Sequence, residues 1–306
     1  MTSPRRGNSV VFLFFDGVGV GEPDPARNPF FTHGFRAFEE GFGGIPTLEK
    51  PRRSRGDRHL FPTDARFGIE GFPLSGTGQT AIFCGVNAPR IFGKHFGPFP
   101  PTALRPYLQN ESVVSEVKAR GMAPAFANAY PRRFFDYLKS GRSVMSATTM
   151  MFRLNGVRLN RATDLRRGTA LSAEIDNGRW ISKLGYSLPK IRPETAARRL
   201  LRVARERRFV VFEYFHTDHV GHGRYDGDVG ELFGTIDRFL LALLAEYDPE
   251  TTTIVFSSDH GNVEDVSIKT HTLNPSVGAA AGRRAGEIAE RVRRIDDFKD
   301  ATLALL

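Results

Sequence analysis

Three short stretches of this sequence gather acids and imidazoles in patterns that could hold a metal ion. Thr217-Asp218-His219-Val220-Gly221-His222 carries an Asp and a His four positions apart, which share one face if the segment turns into helix. Ser258-Asp259-His260-Gly261-Asn262 sets Asp and His side by side, and Gly261 lets the backbone bend sharply. His271 follows within Lys269-Thr270-His271-Thr272-Leu273-Asn274-Pro275. A single His is more often a packed or surface residue, but repeated His beside Asp or Thr shifts the reading toward metal binding. A fourth stretch, Pro73-Leu74-Ser75-Gly76-Thr77-Gly78-Gln79-Thr80, puts Ser75 just before the helix-like Ala81-Ile82-Phe83-Cys84-Gly85. Such a Ser is ordinarily an N-cap. The same position offers a hydroxyl where free N–H groups and the positive helix end favour a phosphate, and metal coordination could turn it into a nucleophile.

The elements that would position these residues follow from apolar patterning. Val10 to Phe15 (VVFLFF) is a short continuous apolar run ending abruptly in Asp16-Gly17-Val18-Gly19, a buried strand leading into a turn. Phe209 to Phe215 (FVVFEYF) ends before His216-Thr217-Asp218 in the same way, and Thr252 to Ser257 before Ser258-Asp259-His260. Helical patterns over Glu194 to Arg207 and Asp228 to Tyr247 separate the later strands. The alternation predicts an α/β fold with a mainly parallel central sheet and helices on both faces. Ligands of such sheets bind at the carboxyl ends of strands, so Asp16, Asp218 and Asp259 should meet there. Residues 88–188 read differently, rich in Pro, Phe, Arg and Asn, with short elements at Ala125 to Tyr130 and Arg132 to Lys139. They are expected to form an inserted cap, leaving a discontinuous core of 1–87 plus 189–306.

Composition narrows the chemistry. The 306 residues are 40% hydrophobic, enough for a sizeable core, and hold a single cysteine, Cys84. That excludes an internal disulfide or a thiolate zinc cluster, so a metal here needs carboxylates, imidazoles and hydroxyls, and Cys84 reads as a small buried hydrophobe. No stretch approaches the roughly 20 apolar residues of a membrane helix, and the opening MTSPRRGNSV lacks an apolar leader, so a cytoplasmic protein without membrane partners is expected. The net charge of +9 suits acidic partners, nucleic acid or phosphorylated metabolites among them, without choosing between them. Arg52-Arg53-Ser54-Arg55 and Arg132-Arg133 read as solvated surface.

Taken together, the motifs resemble the alkaline phosphatase superfamily, and within it the branch of cofactor-independent phosphoglycerate mutase and phosphopentomutase. The likeness covers roughly 9–87 and 189–275, in family order, and omits the cap. It aligns Asp16 in FFDGVG with the first metal-binding Asp, and Ser75 with the nucleophile when Gly78-Gln79-Thr80 is laid on Gly-His-Thr. Asp218 and His222 match the Asp-x-x-x-His pair, Asp259-His260 the Asp-His-Gly-Asn motif, and His271 the ligand of His-Thr-x-Asn-Pro. The resemblance implies two divalent ions, Mn²⁺, Zn²⁺ or Mg²⁺. Asp218, His222 and His271 would hold one, and Asp16, Asp259, His260 and the Ser75 oxygen the other. It further implies phosphoryl transfer through a phosphoserine, by a phosphomonoesterase or a phosphomutase acting on a small phosphorylated metabolite.

Some features depart from that pattern. Gln79 stands where the mutases have His, so its role reduces to hydrogen bonding. Asn274-Pro275 continues as Ser276-Val277, and the mutases' substrate-binding residues have no match in the cap. Thr77 is the fallback nucleophile, and His216 and His219 are expected to pack or support rather than ligate. A phosphodiesterase of the same superfamily is the alternative. A sulfatase would need a Cys/Ser-x-Pro-x-Arg context that Ser75 lacks, and a nucleic-acid-binding reading of the basic surface has no recognised motif behind it.

Overall fold

The apolar run that ends at Asp16 forms the strand β1 (Ser9–Phe15), with every residue buried. The computed structural model describes residues 8–306, so the opening stretch MTSPRRG lies outside the described residues. Eight further strands follow: β2 (Arg53–Arg55), β3 (Arg58–Thr63), β4 (Pro124–Phe126), β5 (Ala129–Tyr130), β6 (Asn160–Arg161), β7 (Phe209–Tyr214), β8 (Thr252–Ser257) and β9 (Ser276–Ala281). Seven of these nine strands make one sheet in the order β2-β3-β9-β8-β1-β7-β4. Its centre is parallel, β1 pairing with both β7 and β8, and β4 with β7. At the other edge β9, β3 and β2 run antiparallel to their neighbours, an edge the sequence did not announce.

Side-chain alternation along the strands feeds two cores, one on each face. Leu13, Phe15, Phe212 and Tyr214 point into one, beneath the helices Pro193–Glu206 and Val229–Glu246. Phe12, Phe14, Phe209 and Val211 point into the other, against Ile82 and Phe83 of the helix Ser75–Cys84. The first of these helices opens with Pro193, whose missing N–H costs nothing at a helix start, and buries Ala196, Ala197, Leu200, Leu201 and Ala204 at helical spacing. The second is capped by Asp228, whose carboxylate accepts the Glu231 N–H at 2.8 Å. Both lie within one residue of the bounds their periodicity predicts.

The segment 88–188 does not stand apart as a cap. Its strand β4 is an edge of the main sheet, and Leu108, Val114, Met151 and Phe152 share a core with Phe12 and Phe14. A separate small core exists only around Leu165, Ala170 and Trp180, next to the two-stranded sheet β5-β6. The physical reason is that three residues suffice for an edge strand, too few to leave a readable period. Within the segment, the helix Arg132–Lys139 forms as expected and has no fully buried residue. Cys84 is buried, as its apolar context suggests. The Arg52–Arg55 cluster is spent on structure, since Arg52, Arg53 and Arg55 donate to the carbonyls of Ala289, Ile45 and Glu40. Among the described residues no helix is long and apolar enough to cross a membrane.

Candidate metal centre

At the carboxyl ends of β1, β7 and β8 the chain turns, and all seven candidate residues meet there. Asp16 follows β1 directly, Asp218 lies in the helix His216–Gly221 after β7, and Asp259 stands two residues beyond β8. Gly17 makes the first turn at a φ of 70°, and a Cβ there would come within 3.2 Å of Asp218 Cα, so backbone conformation and close packing both call for glycine.

Six of the seven side chains form two groups. Asp218, His222 and His271 make one, Asp16, Asp259 and His260 the other, and within each the ligand atoms lie within 4.8 Å of one another. The rings of His260 and His271 stack with centroids 3.7 Å apart, which sets the groups side by side.

Hydrogen bonding determines what the first group can accept. His271 Nδ1 faces the Pro73 carbonyl at 2.6 Å and His222 Nδ1 the Lys269 carbonyl at 2.9 Å. A carbonyl only accepts, so each Nδ1 carries the proton and each Nε2 presents a lone pair. Those two Nε2 atoms are 3.1 Å apart and lie 3.2 and 3.5 Å from Asp218 Oδ1. Three lone pairs converging on one point are reconciled only by positive charge, whether an added proton or a cation. Burial pushes the Asp218 carboxyl upward, yet whenever His222 or His271 carries the added proton on Nε2, its hydrogen bond holds the carboxyl below the ordinary carboxylate range. Asn262 fixes its orientation, donating to Asp218 Oδ1 at 2.7 Å.

The second group lies deeper. Asp259 and His260 are fully buried, and Asp16 Oδ1 and Asp259 Oδ2 are buried without a hydrogen-bond donor. His260 Nε2 sits 3.3 Å from Asp16 Oδ1 and 3.6 Å from Asp259 Oδ2. Burial first, and then the charges of Asp259 and Asp218, raise the Asp16 carboxyl well above its ordinary value. Two inward-facing carboxylate oxygens and an imidazole, with no donor to satisfy the oxygens, fit a divalent cation. Gln79 donates to the remaining Asp16 oxygen at 3.3 Å, the hydrogen-bonding role left to an amide.

Ser75 does not cap its helix. The helix Ser75–Cys84 begins with it, Leu74 takes the cap position, and no side chain caps that end. The Ser75 hydroxyl instead lies 3.0 Å from His260 Nε2, beside the second group. Thr77, the fallback, is sealed: its hydroxyl donates to Leu74 and Phe96 carbonyls and accepts the Phe96 N–H at 3.1 Å. His216 is buried against Tyr214 and Tyr225, while His219 borders the cavity above Ser75.

Residues 182–300, which hold five of the seven candidates, match the family model described as Metalloenzyme superfamily. No curated protein matches the chain. Among solved structures, the PH0037 protein of Pyrococcus horikoshii superposes with a TM-score of 0.56 at 13% identity, covering 98% of this chain and 96% of that one. The alkaline phosphatase of the Antarctic bacterium TAB5 does so with a TM-score of 0.50 at 11% identity, covering 98% of each chain. The fold is alkaline phosphatase-like. A variant of the TAB5 enzyme, with Mg bound in its M3 site, matches at 11% identity with a TM-score of 0.51 over 99% of each chain.

Two carboxylates of this crevice were missed by the motif reading. Glu264 is 2% exposed and ties three site loops together. Its carboxylate accepts the Gly19 N–H at 2.9 Å, the Asn262 N–H at 2.7 Å, the Asn274 side-chain amide at 3.1 Å and the Thr272 hydroxyl. Glu264→Ala would strand these buried donors together. The expected result is a loss of about 3–5 kcal/mol of unfolding free energy in urea, with weaker metal retention by the His271 group.

Glu213 is the second. It is buried near the end of β7 and borders the same cavity as Asp16 and Ser75. Its signal was an acid inside an otherwise apolar strand, FVVFEYF. Burial raises its carboxyl from 4.5 to about 7, against a hydrogen bond from Ser146 at 3.3 Å. The folded state then holds its proton more tightly than the unfolded state does. This contribution to stability is therefore full below pH 4.5 and is lost as pH rises toward about 7. In chelator-treated protein, Glu213→Gln should flatten that decline by on the order of 2–3 kcal/mol, measured by urea unfolding across the range.

Proposed function

We propose that the protein is a metal-dependent phosphomonoesterase that moves a phosphoryl group from a small phosphorylated metabolite to Ser75 and then to water. The observation that carries this reading is the Ser75 hydroxyl, unspent on helix capping, 3.0 Å from His260 Nε2 and bordering an open cavity. Two divalent cations in the two groups, Mn²⁺, Zn²⁺ or Mg²⁺, would neutralise charge on the transferring phosphoryl group and favour the ionised form of the hydroxyl beside them. Ser75 Oγ forms its bond to phosphorus as the ester oxygen leaves and takes up a proton. Water then cleaves the phosphoserine, returning the serine hydroxyl and free phosphate. The first turn of the helix Ser75–Cys84 leaves the amides of Ser75 and Gly76 without intrahelical partners, which favours an anion beside the hydroxyl.

Hydrolysis is favoured over a mutase reaction by the cations around the cavity. Among the described residues Arg224 is the one Lys or Arg side chain that lines it, and a mutase must retain a phosphorylated product long enough to return the group. A singly charged diester also suits a single guanidinium, which makes a phosphodiesterase the second reading.

The deciding experiment follows metal-loaded protein with sugar phosphates, phosphoglycerates, an aryl phosphate and a diester. Free phosphate from monoesters is the expected product. An isomerised product without free phosphate would establish a mutase instead, and faster turnover of the diester a phosphodiesterase. No turnover of any ester by fully metallated protein would overturn phosphoryl transfer.

A further inference from the structure

The cavity above Ser75 has a volume of about 390 Å³, and its walls differ from its floor. Asp16, Ser75, Gln79 and Asp218 line it from the metal-group side. Glu213, Ser146 and Thr149, hydrogen-bonded to one another in a chain that ends at the Tyr130 hydroxyl, border it with His219 and Arg224. The apolar wall includes Phe99, Tyr130, Phe134, Val144, Met145 and Phe215. Four of those six are aromatic. Phe99 and Val144 are 43% and 52% exposed, large apolar side chains left in contact with solvent beside the site. Tyr130 and Phe134 stack with ring centroids 4.3 Å apart and present one continuous apolar surface. The Tyr130 hydroxyl is turned away from ligand duty, being hydrogen-bonded to the Thr149 hydroxyl.

That composition selects among phosphate esters. A phosphorylated sugar or hydroxy acid carries several hydroxyls or a carboxylate, each needing a donor or acceptor in exchange for water. In a chain with a net charge of +9, the cavity has among the described residues one guanidinium, Arg224, and one imidazole, His219. Glu213, Ser146 and Thr149 are hydrogen-bonded to one another, which leaves the apolar wall for the ester's organic part. We infer that the substrate is a phosphate ester whose organic group is aromatic or similarly apolar, held by Phe99, Tyr130, Phe134 and Val144 while the phosphoryl group reaches Ser75. This rests on the phosphoryl-transfer reading above and deepens it.

Aryl phosphates are intrinsically reactive, so the test must hold leaving-group chemistry constant. Metal-loaded protein is given 2-naphthylmethyl phosphate and glucose 6-phosphate, both esters of primary alcohols, and kcat/KM is compared. The naphthylmethyl ester should be favoured by about 10- to 100-fold, the range that enclosing one apolar group supplies. Phe134→Ala should reduce that ratio about tenfold, and Val144→Asp should reduce it as well. Neither change should endanger folding, because the helix carrying Phe134 has no fully buried residue and Val144 is exposed. Equal or better turnover of glucose 6-phosphate, or a ratio unmoved by both substitutions, would overturn the inference.

If neither ester turns over, the phosphoryl-transfer reading fails separately. Calorimetric binding of the two corresponding phosphonates to the metal-loaded protein then decides the pocket. Preference for the naphthylmethyl phosphonate supports the apolar site, and equal or absent binding overturns it.

Discussion

Ser75→Ala should lower turnover of phosphate monoesters at least about 10³-fold while leaving most bound metal in place. The first half of that expectation rests on the hydroxyl's isolation from structural duty. Ser75 neither caps its helix nor donates to the backbone, and its oxygen sits against His260 in the deeper metal group. The second half rests on the donor count: Asp16, Asp259 and His260 converge without Ser75, and the His271 group does not include it. Turnover of a monoester panel together with metal analysis checks both halves. Thr77→Ala gives the contrast, because its hydroxyl holds the backbone at Phe96 and its loss should cost stability of about 1 kcal/mol rather than chemistry. A Ser75→Ala protein with full activity would remove Ser75 from the reaction. Normal metal content with lost turnover would separate its chemical role from ligation.

Chelation should lower the melting temperature by about 5–10 °C, and Mn²⁺, Zn²⁺ or Mg²⁺ should restore it. Without cations, Asp16 and Asp259 keep buried oxygens that no donor satisfies, and the Nε2 lone pairs of His222 and His271 face each other 3.1 Å apart. A cation at 100 times its dissociation constant contributes about 2.7 kcal/mol, and the two groups act on the same folded state. His260→Ala should abolish part of the chelator effect, since it removes one ligand from the deeper group and leaves the His271 group intact. Differential scanning calorimetry with and without chelator measures this directly. An unchanged melting temperature in both proteins would mean that neither group holds metal.

Much of the site was legible because its signals are local. An apolar run ending in an acid marks a buried strand with a polar end, and β1, β7 and β8 each carry that pattern. Parallel strands bring their carboxyl ends together, so Asp16, Asp218 and Asp259 could be placed in one crevice from sequence. Helix bounds were legible for the same reason, as periodicity and capping chemistry are written within one element. The family likeness ordered the expected ligands into two sets, and the structure brings Asp218, His222 and His271 together at one point and Asp16, Asp259 and His260 at another, with Ser75 beside the second.

Other features depended on partners distant in the chain. Glu264 looks like any acid until its carboxylate meets the Gly19 amide 245 positions away. The role of Glu213 depends on which face of β7 meets the cavity, and that is set by packing against neighbouring strands. Spacing to Gly78 favours Ser75 over Thr77 in sequence, with Thr77 as the fallback. Their surroundings became distinct only in the fold, where the loop at Phe96 closes over Thr77 and His260 approaches Ser75. The division has a simple cause. Local patterning determines which residues are buried, turned or exposed within an element, and so determined the strands, the helices and the site's outline. Only tertiary packing decided strand order at the sheet edges, the merging of 88–188 with the core and the apolar character of the wall above Ser75, because each depends on contacts between segments far apart in the chain.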